Sequence, residues 1–590
     1  MTEIREPQDL NDTALRDRAV LAATGHGPFD LLLTGGQLVN VATSEIYAAD
    51  IGVVGGLIAS VHAPGTRSDA AEVVDCAGGF VAPGLIDTHM HIESSMVTPR
   101  HYADAVVPRG TTTVVWDPHE LGNVAGLDAV RWACEAVKGL DLRVLVLAPS
   151  CVPSAPGIEV AGAAFDPPEL REMMSWPEIH GLAEVMDMRG VLQRSDKMRG
   201  VVGAALASGK LVCGHARGLV GADVQGFAAA GINSDHEISA AGDFMEKLRA
   251  GFTIELRGSH DYVLPEVVAA LNDLPHLPQT LTLCTDDIFP DDLARGDGMA
   301  DLLRRLVGYG MAPIDALRAA TLNAAMRLGR VDLGLVAPGR RADIAVFDDL
   351  GQFDARLVIA SGRVVARDGA HLTPEPPHAR PPFTGTVKLQ PLTAADFEIA
   401  ASGDSVRVNT VRRPRFTEWG QAQLPVRDGH VAPPPEMLRM AVIHRHGRAD
   451  PRPVVGLLEE WGRWQGAIAT TIAHDSHNLN VFGTDPADMA LAANALIDAG
   501  GGMAVAQGGK LLALLPLPVC GLVADLPVTE IGAALAELRI AAAQVADWMP
   551  PLRSFKALVG ASLACNPGPH VTDRGICDGL TGEIRETVIA

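Results

Sequence analysis

Two histidines one residue apart, His89 and His91, end the apolar run Gly84-Leu85-Ile86-Asp87-Thr88. Side chains two apart on a β-strand point the same way, so both imidazoles can close on one metal ion. The spacing alone decides nothing: 19 histidines in 590 residues give roughly 0.6 such pairs by chance, and a second pair stands at His444 and His446. Weight comes from further ligands that arrive one per apolar run. Glu184 follows Gly181-Leu182-Ala183, His215 follows Leu211-Val212-Cys213-Gly214, His236 follows Ser234-Asp235, and Asp286 follows Cys284-Thr285. Singly, each reads as a satisfied buried histidine or a helix-capping carboxylate. Together, four imidazoles and two carboxylates suit two divalent cations, with Glu184 set to bridge them. Mixed nitrogen and oxygen donors fit Mn, Fe or Zn.

Such a set needs a scaffold that repeats. From Gly84 onward, short apolar runs alternate with helical segments: after the first come 111–116, 142–147, 180–185, 211–215, 231–234, 252–256 and 280–284. Eight strands with helical crossovers within about 250 residues are what a (β/α)8 barrel requires, and such barrels carry their chemistry at the C-terminal strand ends.

Composition bounds the rest. A chain of 590 residues is too long for one core. With 48 basic and 71 acidic residues the net charge is −23, so a nucleic acid partner is excluded by the average surface. The eight cysteines are scattered, with no Cys-x-x-Cys, which points to reduced thiols and a cytoplasmic location. The segment after Met1 has no apolar stretch behind a basic start, so no secretory signal is expected. No membrane partner is expected either. The longest apolar run, 511–524, is interrupted by Pro516 and Pro518, falls short of the roughly 20 residues a bilayer requires, and reads as a buried hairpin.

The ligand order His-x-His, Glu, His, His, Asp on successive strands resembles the amidohydrolase superfamily. More narrowly, Gly84-Leu85-Ile86-Asp87-Thr88-His89-Met90-His91-Ile92-Glu93-Ser94-Ser95-Met96, Asp117-Pro118-His119-Glu120, Gly181-Leu182-Ala183-Glu184-Val185-Met186, Cys284-Thr285-Asp286-Asp287 and His474-Asp475-Ser476-His477-Asn478 are similar to bacterial-type adenine deaminases, in order and over nearly the whole chain. The fold class expected is α/β: a (β/α)8 TIM-like metal-dependent hydrolase barrel at 82–330 and a C-terminal α+β domain at 384–590. The resemblance implies a small discontinuous β domain at 30–81 plus 331–372. An N-terminal arm at 1–29 and a Pro-rich linker at 373–383 complete the chain. Helices are expected at 488–499 and 528–543. The resemblance further implies Mn or Fe as the metal, a purine base and water as substrates, and a place in purine salvage; a homodimer is expected for so large a barrel. One element departs from the family, whose seventh strand ends Arg-Glu-Gly-Ser where this chain has Glu255-Leu256-Arg257-Gly258-Ser259.

Hydrolysis at C6 of adenine needs a nucleophile, a proton for the ring nitrogen beside C6 and a proton for departing ammonia. Two cations lower the pKa of a bridging water toward about 7 and so supply hydroxide. Asp286 is the natural acceptor of the hydroxide proton and its donor to the amine. For the ring, Glu120 comes first and His119 next; the alternative for Glu120 is a carboxylate at a helix start. Glu93, Ser94, Ser95 and Asp117 either bind the purine edge or cap a helix. His474 and His477 either close over the barrel mouth or hold a domain contact. Two other functions compete: an N-acetyl amino-sugar deacetylase, and a non-catalytic barrel that binds a partner through its third domain. The Asp-Pro-His-Glu element and the long third domain argue against the first, the complete ligand set against the second. The unrelated zinc deaminases are excluded because the Pro-Cys-x-x-Cys that accompanies their His-x-Glu is missing.

Overall fold

Strands buried on both faces read as continuous apolar runs rather than as alternation, and eight such runs build a barrel in the computed structural model. They are β1 (Leu85–Met90), β2 (Thr111–Trp116), β3 (Arg143–Ala148), β4 (Ile179–Val185), β5 (Leu211–Gly214), β6 (Ser234–Asp235), β7 (Thr253–Arg257) and β8 (Leu281–Cys284). β1 to β5 pair in parallel in chain order, and β6 to β8 form a second parallel run. A bridge between Met90 and Asp286 joins the last strand to the first. Between β5 and β6 the backbone of Gly214 donates to Ser234 Oγ at 3.2 Å, and that of Ala216 to Asp235 Oδ1 at 2.7 Å. β6 starts later than the 231–234 expected: Gly231, at φ 98°, turns the chain out of the preceding helix, and pairing begins at Ser234. Gly84 opens β1 because a Cβ there would stand 2.2 Å from Thr112 Oγ1. The structure describes residues 9–372, 381–414, 416–547 and 556–589, so most of the linker expected at 373–383 lies outside the described residues.

Phe29–Asn40, Glu45–Val54, Leu57–His62, Ala70–Asp75 and Phe80–Pro83 share one nine-stranded sheet with Ile344–Phe347, Ala355–Ala360, Arg363–Arg367 and Ala370–His371. Phe80–Pro83 lies antiparallel to Ile344–Phe347, so the chain leaves this sheet to build the barrel and then returns to it. The helix Thr13–Ala23 is not a free arm: Leu15, Ala19 and Ala22 pack on Phe29, Leu32 and Leu57.

A second nine-stranded, mostly antiparallel sheet with the helices Pro486–Ala499 and Val528–Val545 follows. The buried hairpin expected at 511–524 is corrected. Among the described residues, Lys510–Pro516 is the edge strand of this sheet, paired only with Gly502–Gln507. With no neighbour on its outer side it leaves Leu511, Leu512 and Leu514 at 41%, 38% and 38% exposure, and burial resumes at Leu515 and Leu517. The next residues dock on the barrel. Ala524 donates to Met96 O at 2.9 Å, Thr98 Oγ1 donates to Asp525 at 2.9 Å, and Met96, Val97 and Tyr102 share one apolar core with Leu517, Leu522 and Leu558. The C-terminal region therefore presses on the segment that follows His89 and His91. All eight cysteines are buried and unpaired. Among the described residues, no helix is long and apolar enough to cross a membrane.

Candidate active site

The strand ends bring the six expected ligands to one point, arranged around Glu184. Its Oε1 lies 3.3 Å from His91 Nε2 and 3.6 Å from His89 Nε2. Its Oε2 lies 2.7 Å from His215 Nδ1 and 3.3 Å from His236 Nε2. Asp286 Oδ1 stands 3.4 Å from both His89 Nε2 and His91 Nε2. Two donors bound about 2.1 Å from one cation are themselves roughly 3.0–3.4 Å apart, so the separations of 3.3 and 3.4 Å are those of a coordination shell, whereas the 2.7 Å to His215 is a hydrogen bond. The contacts to His89, His91 and His236 are too long or too poorly aimed for hydrogen bonds. His89 Nε2 is buried without a hydrogen-bond partner. The donor set, imidazole nitrogens and carboxylate oxygens, fits divalent cations.

The ligands are oriented from behind. His91 Nδ1 lies 3.0 Å from the Asp117 carbonyl, to which it donates, which turns the lone pair of Nε2 toward Glu184. Asp87, beneath His89, accepts from the backbone and hydroxyl of Thr285 at 3.1 and 2.5 Å, fixing the residue before Asp286. Asp286 itself takes a left-handed backbone, φ 57°, and its N–H donates to His89 O at 3.0 Å. Single residues in this region cluster at functional sites. Its Oδ2 is gripped by Arg257, which also contacts Glu237 and reaches Asp287 Oδ2 at 3.3 Å. Burial raises the Asp286 carboxyl, but Arg257 and the imidazoles outweigh burial and hold it well below the usual carboxylate range.

Arg257, which the sequence left without a role, is thus the residue that aims Asp286. Glu237 and Arg217, paired at 2.6 Å, complete the charge chain. Ser234-Asp235-His236-Glu237 held the signal for Glu237: a carboxylate directly after a ligand.

A second layer covers the first. Ser94, His119, His474, Asp475 and Lys556 line the cavity above the ligands. His119 is held by Asp117 Oδ2 at 2.9 Å, with Asp475 Oδ1 3.6 Å from its other nitrogen. Asp475 was not singled out from the sequence, although it lies inside the quoted His-Asp-Ser-His run. Glu120 is fully buried behind Ser94, whose hydroxyl is 2.8 Å from Glu120 Oε1; His477 Nε2 stands 3.6 Å from Glu120 Oε2. Glu93, Ser95 and Asp117 do not line the cavity, against the first of the two roles expected for them. Glu93 accepts from Trp116 Nε1 at 2.7 Å and from the N–H of Leu121 in the first turn of a helix at 3.3 Å; Ser95 donates to Ile288 O at 3.2 Å; Asp117 serves His119.

The loop 474–477 is fixed by Arg445, which is fully buried and donates to His477 O at 2.5 Å, Cys520 O at 2.8 Å and Thr386 Oγ1 at 3.0 Å. Of the other histidine pair, His444 Nδ1 stands 3.3 Å from Val160 O of the barrel and His446 Nε2 lies 2.8 Å from Ser476 O. Only the His444 contact reaches the barrel, and neither ring lines the cavity.

Residues 80–365 match the model of the amidohydrolase family, and residues 414–583 match that of the adenine deaminase C-terminal domain. The chain is 60% identical to adenine deaminase 2 of Rhizobium meliloti, covering 100% of this chain and 99% of that relative. It is 52% identical to an adenine deaminase of Klebsiella pneumoniae, covering 98% and 97%. The solved β-aspartyl dipeptidase of Fervidobacterium islandicum AW-1 overlays with a TM-score of 0.45 at 16% identity, covering 58% of this chain and 98% of that one.

Proposed function

The chain belongs to the adenine deaminase family of amidohydrolases, and from that premise we infer that it hydrolyses adenine to hypoxanthine and ammonia, a step of purine salvage. The observation that carries this function is the division of labour at Glu184, whose two oxygens face separate pairs of imidazoles. His89, His91, Glu184, His215, His236 and Asp286 would hold two divalent cations; Mn or Fe is the metal we propose. When bound, the cations acidify a shared water so that hydroxide is available at neutral pH.

The remaining steps belong to this chain's own residues. Asp286, aimed by Arg257, takes a proton from the attacking water and passes it to the departing amine. Glu120 supplies the ring proton: burial raises its carboxyl above the ordinary value, which favours the protonated form. His119, between Asp117 and Asp475, stands next to it as the second acid. Ser94 meets the purine edge, Glu93, Ser95 and Asp117 brace the wall behind it, and His474 and His477 close the site.

The domain bounds we propose are those of the sequence: 30–81 with 331–372, 82–330 and 384–590. A homodimer in the cytoplasm is part of the same proposal, and the net charge of −23 supports the exclusion of nucleic acid. The test is ammonia release by Mn-loaded protein from adenine, adenosine, guanine, cytosine and N-acetylglucosamine 6-phosphate. Turnover of adenine alone is expected; turnover of the amino sugar in its place overturns the assignment.

A further inference from the structure

Glu120 has no direct route to a substrate. It is 0% exposed and does not line the cavity, whereas Ser94 does. Ser94 Oγ stands between two carboxyl groups, 2.8 Å from Glu120 Oε1 and 2.7 Å from Asp287 Oδ1. A hydroxyl has one hydrogen and two lone pairs. It can donate to only one of these neighbours, so the other must itself carry a proton and donate it to Oγ.

Geometry decides which one. Asp287 has Arg257 Nη2 at 3.3 Å from its carboxylate, Lys556 Nζ at 3.3 Å from its carbonyl oxygen, and a side chain 25% exposed. Glu120 is fully buried, and among the described residues no Lys or Arg nitrogen pairs with its carboxyl. His477 Nε2 is 3.6 Å away and His474 Nδ1 4.0 Å. The N–H of Ala473 donates to His477 Nδ1 at 3.3 Å, which assigns His477 as a neutral ring with its hydrogen on Nε2. The protonated member is Glu120, and the resting order is Glu120 O–H to Ser94 Oγ, and Ser94 O–H to Asp287.

We infer that Ser94 is the group that hands the proton to the purine, with Glu120 acting through it as a positioning residue and proton store. The inference rests on Glu120 as the source of the ring proton. Bound adenine offers a ring nitrogen in place of Asp287 as the acceptor of the Ser94 hydrogen. The Ser94 O–H bond breaks as the ring N–H bond forms; the Glu120 O–H bond breaks as Ser94 regains a hydrogen; Glu120 is left a carboxylate and no electrons change hands beyond these bonds. Reloading follows the same line. A proton entering from solvent beside Asp287 passes to Ser94 as Ser94 returns its own to Glu120.

Because the two residues act in series, their losses should not add. In the Mn-loaded full-length enzyme, Glu120→Gln and Ser94→Ala are each expected to lower kcat for adenine at least about 100-fold, the scale of a lost general acid, with KM changed by less than about fivefold. The double variant is expected within about threefold of the slower single one. Two equivalents of Mn retained in Ser94→Ala show that the site is intact, a state a folding defect would not preserve. Ser94→Cys, which fills the same space with a poorer donor, is expected between Ser94→Ala and wild type. A near-normal Glu120→Gln overturns the role of Glu120 itself. A slow Glu120→Gln beside a near-normal Ser94→Ala, or a double variant whose loss is the product of the two, overturns the relay and leaves Glu120 in place.

Discussion

Asp286→Asn is the sharpest test of the mechanism because the structure says where each atom of the new amide goes. In the native site Oδ1 faces the ligand nitrogens of His89 and His91 at 3.4 Å, and Oδ2 is held by Arg257. A guanidinium only donates and an amide has one accepting oxygen, so Arg257 claims that oxygen and turns the amide NH2 toward the imidazoles. Sequence alone suggests that the amide oxygen stays on the metal; the position of Arg257 reverses this. The variant loses both the base and one anionic ligand. A lost base is worth about 10²–10⁴ in rate, and at least about 1,000-fold is expected here, roughly 4 kcal/mol of barrier. Metal content is expected below two equivalents when measured on the sample used for turnover. A variant that kept both metals and more than about a tenth of native turnover would remove Asp286 from the proton path and contradict the assignment of Arg257.

Chelation of the purified protein should abolish ammonia release while far-ultraviolet circular dichroism keeps most of its helical signal, and added Mn should restore turnover; full activity after chelation would dismiss the two-metal site. Glu237→Gln should loosen Arg257 and lower kcat at least about tenfold with little change in KM, since it removes a partner of a positioning group; unchanged kcat would show that Arg257 needs no support from Glu237. Burial raises the Glu159 carboxyl to about 8, against an ordinary value of 4.5, so between those values the folded state holds a proton the unfolded chain has lost. Stability falls through that window as pH rises, by about 1.4 kcal/mol per pH unit from this group, and Glu159→Gln should flatten denaturant-measured stability from pH 5 to 8. An unchanged slope would assign the window to other groups.

The barrel was legible because a strand buried on both faces writes itself as an unbroken apolar run, and the ligands because each follows such a run. What the sequence hid is pairing between distant groups. Arg257 reads as an arginine at a strand end, and only its contact with Asp286, across the β7–β8 pair, gives it a task. Glu93 looked like a substrate group because it follows the ligand pair, yet its carboxylate is used by Trp116 and Leu121. The run 511–524 misled for another reason: hydropathy cannot tell an inner strand from an edge strand, and Lys510–Pro516 is the edge. Lys556 was beyond any local pattern, since it faces the barrel only through the docking of the C-terminal region.

The seam of the barrel has a consequence for how the molecule lives with and without its ions. His89 and His91 come from the first strand and Asp286 from the end of the last, where Met90 bridges Asp286 and Thr285 hydrogen-bonds to Asp87, 198 positions away in the chain. A cation held by all three would be a clasp on a very long loop and would stabilise the closed ring by mass action in proportion to the logarithm of its free concentration. Loss of the clasp returns to the chain the entropy that closure had removed. The affinity for metal and the cost of prising the first and last strands apart are then two measures of one free energy, and metal starvation should expose the amide of Asp286 to solvent exchange before those of the inner strands.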